Sequence, residues 1–280
     1  MQAAFYIVST PIGNLEDMTF RAVRVLKEVD LIACEDTRHT RHLLDHYAIR
    51  TPMISYHEHN EIARARELIG RLREGKSIAL VSDAGTPLIS DPGYRIVAAA
   101  ASAGFRVVPV PGPSAAIAAL TASGLPTDAF RFCGFLPPKS GQRRRSLEAL
   151  APEPATLIFY EAPHRIVETL AEMRAVLGNR PAVVARELTK VHEEFLRGDL
   201  ESLQATLAGR ESANRGEFTI VIGKAAAAVA DAEPLVDAVA RLERAGVPRM
   251  EAMKQIARER GLSKREVYTA VESGRSDRQA

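Results

Sequence analysis

The segment Ser77-Ile78-Ala79-Leu80-Val81-Ser82-Asp83-Ala84-Gly85-Thr86-Pro87 constrains this chain more than any other. A β-type apolar run passes straight into a turn of small residues. In an open α/β sheet, ligands bind outside the carboxyl ends of the strands. A turn of Asp, Ala, Gly and Thr at such an end lets main-chain groups approach a ligand closely. Two further turns of this character follow β-type runs, Thr10-Pro11-Ile12-Gly13-Asn14 and Pro111-Gly112-Pro113-Ser114-Ala115. Three such turns predict one shared small-molecule cleft.

The flanking pattern supports that sheet. Strands are predicted at Phe5–Ser9, Leu31–Cys34, Ile78–Val81 and Phe105–Val110. Helices are predicted at Met18–Glu28, Glu61–Glu74, Asp91–Ala103, ended by Gly104, and Ser114–Ser123. Alternation with short connections is the α/β signature. After about Leu125 the texture changes. Short β-runs at Phe130–Phe135, Thr156–Tyr160, Ala182–Arg186, Glu193–Leu196 and Phe218–Ile222 alternate with helices at Arg143–Leu150, Ile166–Leu177 and Leu200–Leu207. The quick return from Ala182–Arg186 to Glu193–Leu196 predicts antiparallel pairing. An Ala-rich stretch, Lys224–Pro234, then leads to three helices, Leu235–Ala245, Arg249–Arg260 and Lys264–Glu272, separated by Gly246 and Gly261. Their spacing is that of a helix-turn-helix or of a plain three-helix cap.

No apolar run approaches the roughly 20 residues needed to cross a bilayer, and no signal peptide is evident, so no membrane partner is expected. Cys34 and Cys133 are the only cysteines, which fits a reducing cytoplasm and argues against a disulfide framework. The net charge of +2 is uneven: residues 241–280 carry ten Lys/Arg against six Asp/Glu. A basic tail on a slightly acidic body suggests a polyanionic partner such as nucleic acid.

Several clusters carry chemistry. Gly70–Ser77 matches the P-loop string, but a helix precedes it and a strand follows, the reverse of what phosphate binding at a helix N-terminus needs. His39, His42 and His46 at helical spacing, with His57-Glu58-His59, are surface groups, substrate contacts or metal ligands; no H-E-x-x-H accompanies them, and no metal is expected. Glu35-Asp36-Thr37-Arg38 is either a charged site wall or a helix cap. Tyr160-Glu161-Ala162-Pro163-His164-Arg165 and Arg186-Glu187-Leu188-Thr189-Lys190 repeat the arrangement at other strand ends and read as functional. Lys139 with Arg143, Arg144 and Arg145 forms a basic loop, read as phosphate-attracting because no carboxylate lies beside it in sequence.

Taken together, the motifs at 9–15, 34–38, 55–60, 81–93, 111–115, 159–165 and 186–190 resemble the tetrapyrrole methylase superfamily. They are most similar to its branch that methylates a cytidine ribose 2′-hydroxyl in small-subunit ribosomal RNA. The resemblance implies two α/β domains with a cleft between them, residues 1–112 and 113–224, plus a small C-terminal helical RNA-binding domain, residues 234–280. It implies S-adenosylmethionine as methyl donor, small-subunit ribosomal RNA as partner, and a homodimer. Pro11 and the turn Ser82, Asp83, Ala84, Gly85 and Thr86 would line the methionine side, and Gly13 would belong to the same loops. Ser114, Ala115, Tyr160 and Leu188 would frame the adenosine. Candidate proton acceptors are Glu35, Asp36, Glu58, Glu161 and Glu187, with Glu161 favoured; Lys190 and Arg165 would hold phosphate or polarise the hydroxyl. RNA contacts are expected from Arg38, His57, Lys139, Arg143, Arg144, Arg145, Arg165, Lys264 and Arg265.

Overall fold

The four strands predicted in the first half form one sheet: β1 (Phe5–Val8), β2 (Leu31–Cys34), β4 (Ile78–Val81) and β5 (Val107–Val110). A fifth, β3 (Met53–Ser55), is three residues long and gave no periodic signal. All pairs are parallel, in the order β3-β2-β4-β1-β5. Both faces are covered. Helices α1 (Phe20–Glu28) and α2 (Thr37–His46) bury Val25, Leu26 and Leu44 on one side. Helices α3 (Glu61–Arg73) and α4 (Tyr94–Ser102) bury Leu68, Leu72 and Ile96 on the other. Hence every residue of β2 and β4 is buried, as two-sided coverage of a parallel sheet requires.

Asp91 was expected inside a helix, but α4 begins only at Tyr94. Gly93 sits at φ 143°, and a side chain there would meet Leu80, so the chain turns in before the helix starts. Leu88 and Ser90, at φ 74° and 67°, are non-glycine residues in the left-handed region, so the whole Ser82–Gly93 segment is a tightly folded loop.

The second sheet contains β6 (Phe130–Phe135), β7 (Thr156–Glu161), β8 (Pro181–Arg186), β9 (Glu194–Asp199) and β10 (Phe218–Ile222), ordered β6-β7-β10-β8-β9. Only β6 and β7 are parallel; the β8–β9 pair is antiparallel, as its short connection predicts. Helices α6 (Ser140–Leu150), α7 (Ile166–Leu177) and α8 (Leu200–Ala208) pack on one face. Helix α5 (Ala115–Ser123) packs on the other, where Ala119 and Leu120 meet Ile158, Val183 and Val221, joined by Ile12 from the first half.

The computed structural model describes residues 3–210, 215–225, 235–260 and 262–279. Most of the Ala-rich stretch and Gly261 therefore lie outside the described residues. Residues Met1–Ala225, with both sheets, form one compact unit and Ala226–Ala280 another. In the second unit α9 (Leu235–Arg244), α10 (Arg249–Glu259) and α11 (Lys264–Gln279) bury Val239, Met253, Ile256 and Val267. Ser263 starts α11 with a reciprocal cap: its hydroxyl accepts from the Glu266 amide at 3.2 Å while Glu266 accepts from the Ser263 amide at 2.7 Å. Among the described residues no helix is long and apolar enough to cross a membrane.

Candidate functional site

The three turns meet at the carboxyl edge of the first sheet. Thr10 and Gly85 exchange both main-chain hydrogen bonds, at 2.9 and 3.1 Å, which ties the turn after β1 to the turn after β4. The Thr86 hydroxyl donates to the Pro113 carbonyl at 3.0 Å and lies 3.1 Å from the Ser9 hydroxyl, which adds the turn after β5. Gly85 takes φ 76°, which a side chain would oppose, and a Cβ on Gly112 would press on Ser9 at 2.9 Å. These glycines are what allow the turns to close on one another.

A cavity of about 390 Å³ opens against them. One wall comes from Ile12, the segment Asp83–Thr86, Ile89–Asp91, Ser114 and Ala115. The other comes from the second sheet: Phe135, Tyr160–Pro163 and Glu217–Thr219. β10 runs antiparallel to its neighbours, so its first residue, Phe218, pairs with both Glu161 and Arg186. The start of β10 therefore lies beside the ends of β7 and β8. The Tyr160 hydroxyl accepts from the Ala116 amide at 3.2 Å, locking the start of α5 to the second sheet. Burial raises the Tyr160 pKa, and the charge on Asp91 adds to the rise. Thus Asp83, Ala84, Gly85, Thr86, Ser114, Ala115, Tyr160 and Glu161 are brought together as expected. Phe135, Asp91, Glu217 and Thr219 were missed.

A second hollow of about 240 Å³ takes Pro11, Gly13 and Ser82, with His39 and His42, and Asp83 lines both spaces. Leu188 is buried under the cavity with Ile12 rather than lining it. Among the described residues, no three His, Cys, Asp or Glu side chains converge so as to hold a metal ion.

The charged candidates separate clearly. Asp36 caps α2, accepting from the Arg38 amide at 2.8 Å and from the Arg38 guanidinium at 3.1 Å. Those Arg38 hydrogen bonds hold its carboxyl down at about 2, so the cap reading is correct and Asp36 is a poor proton acceptor. Glu35 is not in the cavity lining; burial, then repulsion from Asp91 and Asp83, raises its pKa. Glu161 is buried with both oxygens engaged, one by the Thr169 hydroxyl at 2.6 Å and one by the Ala162 amide at 2.8 Å. Arg165 lies 3.3 Å from the same carboxylate and donates to the Leu136 carbonyl at 3.0 Å. Both brace the turn after β7, which corrects the expectation that Glu161 is a free base and Arg165 an RNA contact.

Lys190 bridges two carboxylates, Glu187 at 2.8 Å and Glu217 at 3.0 Å. Burial alone would lower its pKa, but those two partners carry it upward. A Cβ on Gly13 would run into the Lys190 side chain, so Gly13 is the space through which this lysine passes. Its charge is already neutralised, which corrects its assignment as the group polarising the acceptor.

The basic loop is also revised. Residues 140–150 are helix α6, and Arg143 points inward at 1% exposure. Its guanidinium donates to Glu172 at 2.5 and 2.9 Å and to Glu168 on α7. A buried, doubly paired arginine offers nothing to a phosphate. Lys139, Arg144 and Arg145 are exposed, Arg144 with Glu148 alongside at 3.0 Å. Arg38 is also exposed, and His57 is half-buried with Asn60 3.0 Å from its Nε2. In the second unit Lys264 and Arg265 are exposed at the start of α11.

Residues 4–204 match the family model of the tetrapyrrole (corrin/porphyrin) methylases. The chain is 50% identical over 273 residues to the ribosomal RNA small subunit methyltransferase I of Halalkalibacterium halodurans, covering 95% of this chain and 94% of that one. It is 47% identical to the protein of that name from Bacillus subtilis, covering 95% and 92% of the two chains. Among solved structures it is similar to uroporphyrin-III C-methyltransferase from Thermus thermophilus complexed with S-adenosylhomocysteine, with TM-score 0.55 and 22% identity over 79% of this chain and 97% of that one. It is also similar to diphthine synthase, with TM-score 0.62 and 16% identity over 79% and 90%. At these identities the two structures speak for the fold alone.

Proposed function

The chain belongs to the tetrapyrrole methylase family, and from that premise we propose that it transfers a methyl group from S-adenosylmethionine to small-subunit ribosomal RNA, on a cytidine ribose 2′-hydroxyl. The full-length similarity to ribosomal RNA small subunit methyltransferases I supports the RNA substrate. The observation that carries the chemistry is the convergence of three small-residue turns on one cavity with carboxylates in its wall. Its volume of about 390 Å³ and its apolar lining, punctuated by a few polar groups, suit a small-molecule site. Ile12 and Tyr160 offer apolar surface to a purine, the Ala84–Thr86 main chain offers close polar contact, and Asp83 and Asp91 suit a cationic donor. When bound, that donor supplies an electrophilic methyl group. Pairing its positive charge in the ground state does not by itself speed a reaction that removes the charge. What the walls contribute is alignment of acceptor and methyl carbon, worth about 7–11 kcal/mol when geometry is held at reacting distance.

Lys139, Arg144 and Arg145 with the C-terminal helices supply cations for the RNA backbone. Arg38 and His57 remain assigned to the acceptor strand. We place the enzyme in the cytoplasm, acting as a homodimer on an unstacked nucleotide, the form in which RNA bases are usually read. Incubating the chain with labelled donor and unmodified small-subunit RNA tests the reading. We expect label in one alkali-resistant dinucleotide, because a 2′-O-methyl group blocks hydrolysis of the adjacent phosphodiester. Label in a tetrapyrrole precursor and none in RNA would overturn it.

A further inference from the structure

Three aromatic residues line the cavity, and two are already committed. Phe218 is buried, and Tyr160 is half-buried with its hydroxyl on the Ala116 amide. The third, Phe135, ends β6 and is 55% exposed. On a regular strand, residues 132 and 135 would face opposite ways, because side chains alternate. Here Phe132 pairs with Ile158 and Gly134 with Phe159, so Cys133 is an extra residue and the strand bulges. The bulge brings both phenylalanines to the Tyr160 face, their rings edge-on to it at 4.9 and 5.6 Å. Gly134 takes φ 64°, and a side chain on it would lie 3.3 Å from the Ser90 hydroxyl, so β6 closes here against the loop after β4. On the other side of Phe135, Leu136 is buried, and the Leu136 and Pro137 carbonyls accept from Arg165 at 3.0 and 3.3 Å. Both chain neighbours of Phe135 are thus held, while more than half of its own surface faces solvent. The ring also lines an outer hollow of about 440 Å³ beside α6, with Arg131, Cys133 and Ser146. It stands where that hollow and the cavity meet. Exposed Lys139, Arg144 and Arg145 come next along the chain.

We propose that Phe135 is the platform on which the base of the acceptor nucleotide stacks while its ribose enters the cavity. The inference rests on the methyl-transfer reading above. A 2′-hydroxyl reaches a donor held between two walls only if its nucleotide leaves the RNA stack, and unstacked bases are read against aromatic side chains. Leaving the stack removes contact with neighbouring bases, and a ring at the cavity rim replaces it. Because its neighbours in the chain are fixed, this ring has little freedom left to lose on binding. A π-face accepts any base, so Phe135 positions the nucleotide rather than selecting a cytidine. The cations that follow it serve the phosphates of flanking nucleotides.

The test uses the full chain and unmodified small-subunit RNA. Phe135→Ala should lower kcat/KM for RNA methylation about 5–150-fold, the worth of one base–aromatic stack. Phe135→Leu, apolar but without a π-face, should lose a comparable share, and Phe135→Tyr should stay within about threefold of the unaltered chain. Donor affinity by calorimetry should be the same in all three. The chain contains no tryptophan, so Phe135→Trp places a single fluorescent reporter at the rim. With S-adenosylhomocysteine bound, added RNA should quench its emission. Full activity of Phe135→Ala or Phe135→Leu, or an emission that RNA leaves unchanged, would overturn the platform. Loss of donor affinity in step with kcat/KM would overturn it by assigning the ring to the donor's purine. A change in sedimentation of Phe135→Ala would overturn it by assigning the ring to a contact between copies of the chain. Each of these results leaves the methyl-transfer reading standing. Absence of RNA methylation by the unaltered chain would overturn both.

Discussion

Arg143→Ala separates two roles, a phosphate contact and an internal brace. Arg143 is 1% exposed and bonded to Glu172, whose side chain is 21% exposed, and to Glu168, at 62%. Removing the guanidinium lets Glu168 turn to water but leaves Glu172 under α6. Breaking a buried pair on one side costs about 3–5 kcal/mol, and the solvated Glu168 places this case near 3. For a unit of this size each kcal/mol lowers the melting temperature by about 2–4 °C, so the variant should melt about 6–12 °C lower. Pairing it with Glu172→Gln should recover a good part of the loss, since the stranded charge is then gone. RNA affinity of the folded variant should not change. Arg144→Ala and Arg145→Ala should behave in the opposite way, melting normally but each flattening the salt dependence of RNA binding by about 0.7–0.9 in log–log slope. Thermal melts and salt titrations of RNA binding read both arms. A melting shift below about 2 °C together with a flatter salt slope for Arg143→Ala would refute the brace and restore the phosphate contact.

Gly13→Ala should cost about 1–3 kcal/mol by overpacking, because its Cβ displaces Lys190 from its two carboxylates, and melting of the variant reports it. Arg143 hydrogen bonds hold the Glu172 carboxyl below its usual 4.5, so its contribution is complete above the unfolded-state value and disappears as pH falls through the folded one. Arg143→Met should flatten that part of the acid limb in a stability–pH series. Removing residues 226–280 should weaken RNA binding while donor binding by Met1–Ala225 persists, and an unchanged RNA affinity would remove the C-terminal helices from substrate recognition.

The first sheet was legible because β1, β2 and β4 are continuous apolar runs, with β1 and β4 ending in Gly- and Pro-bearing turns, and those signals are local. β3 was not, because three residues carry no period. Asp91 was hidden by Gly93: Asp91-Pro92 reads as a helix start until the positive φ two residues later moves the helix onward. Arg143 was misread because its partners lie 25 and 29 residues away on α7, and nothing beside it in sequence announces them. Phe135 and Glu217 enter the cavity wall through strand order in the second sheet, which pairwise spacing along the chain does not encode. Asp36 went the other way: both of its readings were available from the sequence, and only its bonds to Arg38 chose between them.

The reciprocal bridge between Thr10 and Gly85 is made by peptide groups, not side chains. Much of the cavity is thus written in the course of the main chain. A scan of single replacements would find many of its positions forgiving, provided the glycines are spared. Adding or deleting one residue in either turn would shift the paired amides out of step and dismantle the chamber, whatever side chains it carried.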